Sequence, residues 1–225
     1  MSDTDKIPIT LITGFLGSGK TTLLNWILTK NHGKKYVVIE NEYGEIGIDD
    51  KLIKDKFKDD NNDDNDIIEM NNGCLCCKLN TNLIDIFTKI SEKKNDIDGV
   101  LIETTGLANP GPIIQTLYFE EQIENKYKLD CIITVVDAKH IVHHLNVDKS
   151  NEAIDQILYS DRILLNKVDL VTNKELNNVI HKIKHINSRV DIIQCQLNKE
   201  SIPMEKILNI GTFSITNIKS DEHEH

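Results

Sequence analysis

Two clusters in this 225-residue chain carry side chains suited to chemistry. Gly14-Phe15-Leu16-Gly17-Ser18-Gly19-Lys20-Thr21, with Thr22 next, follows an apolar run and opens an amphipathic stretch. Glycines at this spacing let successive backbone N–H groups turn onto phosphate oxygens, and the following helix adds the positive end of its dipole. Lys20 would reach the terminal phosphates, and the Thr21 hydroxyl would ligate Mg²⁺. Cys74-x-Cys76-Cys77 lies two strands downstream, directly after the turn-forming Asn71-Asn72-Gly73. Three thiolates can converge on one ion there. Sulfur ligands select Zn²⁺, Co²⁺ or Cu⁺ over Mg²⁺ and Ca²⁺, and three protein ligands leave a fourth position open for exchange. The pairing points to a nucleotide spent on controlling a soft metal ion.

Asn166-Lys167-Val168-Asp169 comes directly after an apolar strand. The Asp169 carboxylate can accept from guanine N1–H and the exocyclic amine together, a donor pair that adenine lacks. The Lys167 stem would lie along the base and Asn166 would brace the loop. Downstream of a phosphate loop, this tetrapeptide selects GTP over ATP. Between the two lies Glu103-Thr104-Thr105-Gly106, at the end of another apolar strand. Glu103 is longer than the usual aspartate by one methylene and can hold Mg²⁺ through a water. Gly106 can offer its N–H to the γ-phosphate, with the flanking loop moving on hydrolysis. No glutamine is placed in sequence to orient the attacking water, which predicts slow intrinsic turnover. In Glu40-Asn41-Glu42-Tyr43-Gly44-Glu45, Glu42 or Glu45 can approach Mg²⁺, the attacking water or a transient metal. His140, His143 and His144 are expected to be exposed at a helix start.

These groups need a scaffold that brings strand ends together. Apolar runs predict strands at Ile9–Thr13, Tyr36–Glu40, Ile67–Met70, Val100–Glu103, Ile132–Asp137, Ile163–Asn166 and Val190–Gln194. Amphipathic stretches predict helices at Lys20–Lys30, Asn82–Lys93, Pro112–Phe119, Asn151–Tyr159, Lys174–Ile186 and Met204–Leu208. The alternation is that of an α/β P-loop NTPase: a mostly parallel central sheet with helices on both faces. The cysteine segment follows the neighbouring strand, so nucleotide state can reach the thiolates. Residues 1–216 are expected to form one domain. Residues 55–66, rich in Asp, Asn and Lys, read as a mobile acidic insertion, and 217–225 as a polar His/acidic tail.

Hydrophobic residues make up 39%, enough for a core, and the net charge is −10 without any Lys/Arg-rich run. That excludes a general nucleic-acid or anionic-membrane binder. The longest apolar stretches are strand-sized, and Met1–Lys6 lacks secretory or transit character, so cytoplasm is the expected location. Cys131 and Cys195 lie in apolar runs and read as core residues.

With those motifs assembled, the chain resembles the CobW-type metallochaperone GTPases, particularly the zinc-regulated GTPase metalloprotein activators. The resemblance runs through Ile9–Leu24, Glu40–Asp49, Met70–Cys77, Glu103–Pro110, Val136–Lys139, Asn166–Asp169 and Ile207–Phe213. It implies that Cys74, Cys76 and Cys77 bind the delivered Zn²⁺, with Co²⁺ the other metal such thiolates accept. It implies that Cys77-Lys78-Leu79-Asn80-Thr81 lies near the nucleotide, and that hydrolysis of GTP to GDP lets the ion pass to a client metalloenzyme. For the eukaryotic branch that client would be a methionine aminopeptidase. Proteins of this sort often form homodimers across the nucleotide. The family also carries a smaller C-terminal domain beyond a His-rich linker, whose start residues 217–225 resemble. The alternative is a zinc- or cobalt-buffering module that responds to nucleotide with little turnover.

Overall fold

The structure, a computed structural model, describes residues 6–29, 33–40, 66–69, 79–93, 97–147, 152–199 and 202–213. Strands rich in β-branched residues form β1 (Ile7–Thr13), β2 (Tyr36–Glu40), β3 (Asp66–Glu69), β4 (Gly99–Glu103), β5 (Tyr127–Asp137), β6 (Arg162–Asn166) and β7 (Asp191–Gln194). Between them run α1 (Lys20–Thr29), α2 (Leu79–Lys93), α3 (Gly111–Phe119), α4 (Glu121–Glu124), α5 (Ile141–Val147), α6 (Glu152–Leu158) and α7 (Asn173–Ile186). The sheet order is β3-β2-β4-β1-β5-β6-β7. Every pairing among the described strands is parallel.

Because successive strand residues face opposite sides, the core divides in two. Ile9, Leu11, Val37, Ile39, Val100, Ile102 and Ile132 pack against α2, α3 and Ile123 of α4. Val136, Ile163 and Leu165 continue that face beneath α5, α6 and α7. The alternate residues Ile12, Val38, Leu101, Ile133, Val135 and Leu164 pack against Leu23, Leu24, Ile27 and Leu28 of α1. Leu197, Ile202, Ile207 and Leu208 complete that second face. Cys131 and Cys195 are buried there as expected, and burial pushes the Cys131 thiol up to about 12.

Several elements differ from the sequence expectation. β5 begins five residues earlier, at Tyr127, although Lys128 and Asp130 interrupt its apolar run. Buried Asp130 is tolerated because the Ile210 and Gly211 N–H groups donate to its carboxylate at 2.9 and 2.8 Å. The segment expected as a helix at 204–208 is only a 3₁₀ turn over Met204–Lys206. Asn209 at φ 55° and Gly211 at φ 64° turn the chain away before a helix can propagate. Helix α5 has no counterpart among the predicted helix spans, although a helix start was expected at the histidines; the Asp137 carboxylate starts it by accepting from the Lys139 and His140 N–H groups. Finally, β3 is not the neighbour of the Glu103 strand, since β2 lies between them. Cys74, Cys76, Cys77, Glu42, Glu45, Lys78, residues 55–65 and the 217–225 tail lie outside the described residues.

All-parallel pairing sends every strand's C-terminal end to one edge of the sheet. Ile12 is in register with Glu103, Thr13 with Thr134, and Asp137 with Asn166. That edge, outside the carboxyl ends of the strands, is where such folds bind ligands.

Candidate nucleotide-binding site

The Gly14–Gly19 turn leaves β1 and enters α1 at Lys20. It can be this tight because Gly19 sits at φ +113°, and a Cβ there would lie 2.6 Å from the Asn166 amide nitrogen. Lys20 is only 7% exposed and its ammonium donates to the Gly14 and Phe15 carbonyls at 2.8 and 3.3 Å. Burial lowers its pKa, and the Glu103 carboxylate opposes that fall. The Thr21 hydroxyl donates to Glu103 Oε1 at 3.1 Å, so the two expected Mg²⁺ partners meet across 82 residues of chain. Thr22 follows in α1, exposed.

A bound nucleotide with Mg²⁺ fits these residues. Ser18 Oγ is buried inside the turn without a hydrogen-bond partner, which a phosphate oxygen would supply. The turn, the Lys20 ammonium and the paired Thr21 and Glu103 oxygens are the donor and ligand chemistry that polyphosphate and a hard cation require.

The Asn166–Asp169 loop, expected to read the base, is braced onto the Gly14–Gly19 turn from β6. Asn166 Nδ2 donates to the Ser18 carbonyl at 2.9 Å while its Oδ1 accepts from Leu197 N–H at 3.0 Å. Lys167 adopts a left-handed φ of 60°, and its ammonium donates to the Gly17 carbonyl and Asp137 Oδ2, both at 2.7 Å. Burial pushes the Asp137 carboxyl up, but hydrogen bonds from Lys167, His140 and Lys139 outweigh it and hold the group below its ordinary value. Val168 and Asp169 form a 3₁₀ turn. The Asp169 carboxylate pairs with Lys199 at 2.7 Å and is held below the usual carboxylate range by it.

The Glu103–Gly106 segment leaves β4 beside the phosphate loop. Thr104 N–H donates to the Ile12 carbonyl at 3.0 Å, and its hydroxyl donates to Thr13 Oγ1 at 2.9 Å. Gly106 approaches so closely that a Cβ on it would lie 2.6 Å from Leu16 N. Leu16 and Leu107 project from the two loops, 80% and 64% exposed.

The structure therefore gathers Gly14–Thr21, Glu103, Gly106 and Asn166–Asp169 on one sheet edge. Leu79, Asn80 and Thr81 form the first turn of α2. The histidines do not converge on a metal. His140 Nδ1 lies 3.0 Å from Asp137 Oδ2, and the His144 ring stacks on Phe15 at 3.8 Å between centroids. Among the described residues no group of three metal-ligating side chains forms, and no helix is long and apolar enough to cross a membrane. Sequence reasoning missed the contacts of Asp137 and Lys199 with the Asn166–Asp169 loop. For Asp137 the available signal was a carboxylate ending an apolar strand, as Glu103 does.

Fold and site define a P-loop protein with the nucleotide-binding apparatus of a GTPase. The chain belongs to the CobW/HypB/UreG family: the model of that family's nucleotide-binding domain matches residues 8–194. It is 36% identical over 247 residues to zinc-regulated GTPase metalloprotein activator 1 of Dictyostelium discoideum, covering 97% of this chain and 51% of that protein. It is 40% identical over 192 residues to zinc chaperone YjiA of Escherichia coli, covering 84% of this chain and 57% of the other. The crystal structure of the Zn(II)-bound YjiA GTPase from E. coli superposes with a TM-score of 0.68 at 34% identity, covering 93% of this chain and 63% of that one. The chain spans about half the length of the curated relatives it matches.

Proposed function

We propose that this chain is the nucleotide-handling unit of a zinc metallochaperone, in which GTP hydrolysis controls transfer of Zn²⁺ to a client metalloenzyme. The observation that carries the reading is the gathering of Gly14–Thr21, Glu103, Gly106 and Asn166–Asp169 at the carboxyl ends of the strands of one sheet, in which β3 is the strand that precedes Cys74-x-Cys76-Cys77 in sequence. Zinc is the cargo, taken by those three thiolates. The names of the relatives, a zinc-regulated GTPase metalloprotein activator and a zinc chaperone, support the same assignment. A methionine aminopeptidase is the client, on the likeness to the eukaryotic activators, and homodimerisation across the nucleotide would bring in a water-positioning group. The unit works in the cytoplasm.

This chain's residues divide the labour. Asp169 and Lys167 hold guanine. The Gly14–Gly19 turn, Lys20 and Thr22 hold the phosphates. Lys20, lowered by burial, is restored toward full charge by phosphate oxygens. Thr21 and Glu103 would hold Mg²⁺, which would neutralise phosphate charge when bound. Gly106 donates its N–H to the γ-phosphate, and Glu42 acts on the water side.

β3 and β1 are three strand spacings apart, about 14 Å at the usual interstrand distance. At that range coupling runs through the loops at the strand ends, and it is reciprocal. The test is a Zn²⁺ titration of the reduced protein against a chromogenic chelator, with GTPγS, with GDP and without nucleotide. Affinity that depends on nucleotide and vanishes in a Cys74/Cys76/Cys77→Ser variant is the expected result. Equal dissociation constants in all three states would refute coupled transfer and leave a buffering module.

A further inference from the structure

We propose that Gln156 is a positioning residue of the GTPase reaction, fixing the Gly106 turn against the phosphate loop from behind. This rests on the GTPase reading above and adds a residue to it. Gln156, in α6, is 2% exposed. Its Nε2 donates to the Gly106 and Ala108 carbonyls, both at 3.1 Å. One amide thus spends both its hydrogens on two points of a single turn, 50 and 48 residues away in sequence.

The rest of the turn is gripped at both ends. Its entry is tied to β1 through Thr104, as described. Its exit is tied to α6 again: Asn109 Nδ2 donates to Asp155 Oδ2 at 2.7 Å, and Asn109 Oδ1 accepts from Gly111 N–H at 2.7 Å. Between these anchors Gly106 has no room to move toward Leu16, and Gln156 stops it from moving away.

Gln156 is itself a fixed support. Its main-chain carbonyl accepts from the Thr134 and Ser160 hydroxyls at 2.8 and 2.6 Å. Asn187, by contrast, closes only the end of α6 beyond Gln156, donating to the Ile157, Leu158 and Ser160 carbonyls, and holds neither the Gln156 carbonyl nor its amide. Only a carboxamide of this length serves. Glutamate would set a carboxylate against two carbonyls, and leucine keeps most of the bulk with no donor.

The chemical consequence is specific to the triphosphate. GDP is held by the phosphate loop and the base-reading loop, whereas the Gly106 turn faces the phosphate that only GTP carries. Losing Gln156 should therefore weaken GTP binding and turnover while sparing GDP. Two neutral hydrogen bonds correspond to roughly a tenfold effect.

The experiment measures fluorescent GDP and GTPγS affinities and single-turnover hydrolysis in wild type, Gln156→Leu, Gln156→Met and Asn187→Ala. Asn187→Ala loosens the same helix without touching the turn. Wild-type binding and turnover test the GTPase reading by themselves. Given those, the expected result is a GTPγS-to-GDP affinity ratio and a hydrolysis rate each lower by about tenfold in whichever Gln156 variant folds. Asn187→Ala should leave the ratio at the wild-type value. A ratio and rate unchanged in the Gln156 variants, or lowered equally by Asn187→Ala, would overturn the assignment.

Discussion

Replacing Asn166 with alanine is expected to loosen the phosphate loop and the end of β6 together. Asn166 is 4% exposed, and its single amide bridges two buried backbone groups, the Ser18 carbonyl and the Leu197 N–H. Truncation removes the partner of each of these groups, in residues at most 6% exposed. A buried group left unsatisfied costs about 1–3 kcal/mol, so the pair predicts a loss of roughly 2–5 kcal/mol. For a chain of this size each kcal/mol lowers Tm by about 2–4 °C, giving a fall near ~10 °C. Because the Ser18 carbonyl belongs to the phosphate loop, GDP affinity should fall as well, although Asn166 touches no phosphate in this account. Thermal unfolding without nucleotide reads the first effect, and fluorescent GDP titration reads the second. A Tm within about 2 °C of wild type, with GDP affinity unchanged, would refute the bracing argument.

Two further outcomes follow from the charges. Burial raises the Asp161 carboxyl to about 6, against a hydrogen bond from Ile132 N–H at 2.8 Å. Its folded value exceeds its unfolded one, so its stabilising contribution is complete below about pH 4 and is lost as pH rises through about 6. Asp161→Asn should thus be more stable than wild type at pH 7.5, by up to about 3 kcal/mol, with the advantage gone near pH 4. Urea unfolding across that range checks it, and a constant offset would contradict the burial argument. Asp169→Asn should lower GTP affinity by roughly a hundredfold and leave ATP affinity unaltered, since only guanine offers the donor pair; competition titrations with both nucleotides decide it, and an unchanged GTP-to-ATP ratio removes Asp169 as the base reader.

What was legible in the sequence is local. The phosphate loop, the strand that feeds it and the helix it opens are set by contiguous glycines, β-branched residues and an amphipathic stretch. The same holds for Asn166–Asp169 and Glu103–Gly106, each a loop at the end of its own strand. Five of the seven strands were placed to within a residue and β1 to within two, because a buried parallel strand is a short apolar run bounded by polar turns. β5 was cut short because Asp130 looks like a strand breaker until the Ile210 and Gly211 N–H groups are seen to satisfy it. Contacts between distant segments had no such trace. That β2 separates β3 from β4, that Asp137 draws Lys167 toward Gly17, that Lys199 meets Asp169 and that Gln156 holds Gly106 depend on strand order and helix placement. Local sequence determined which chemical groups this protein presents. Tertiary packing alone decided which of them touch, because a hydrogen bond across 50 residues of chain is set by the shape of everything folded between its ends.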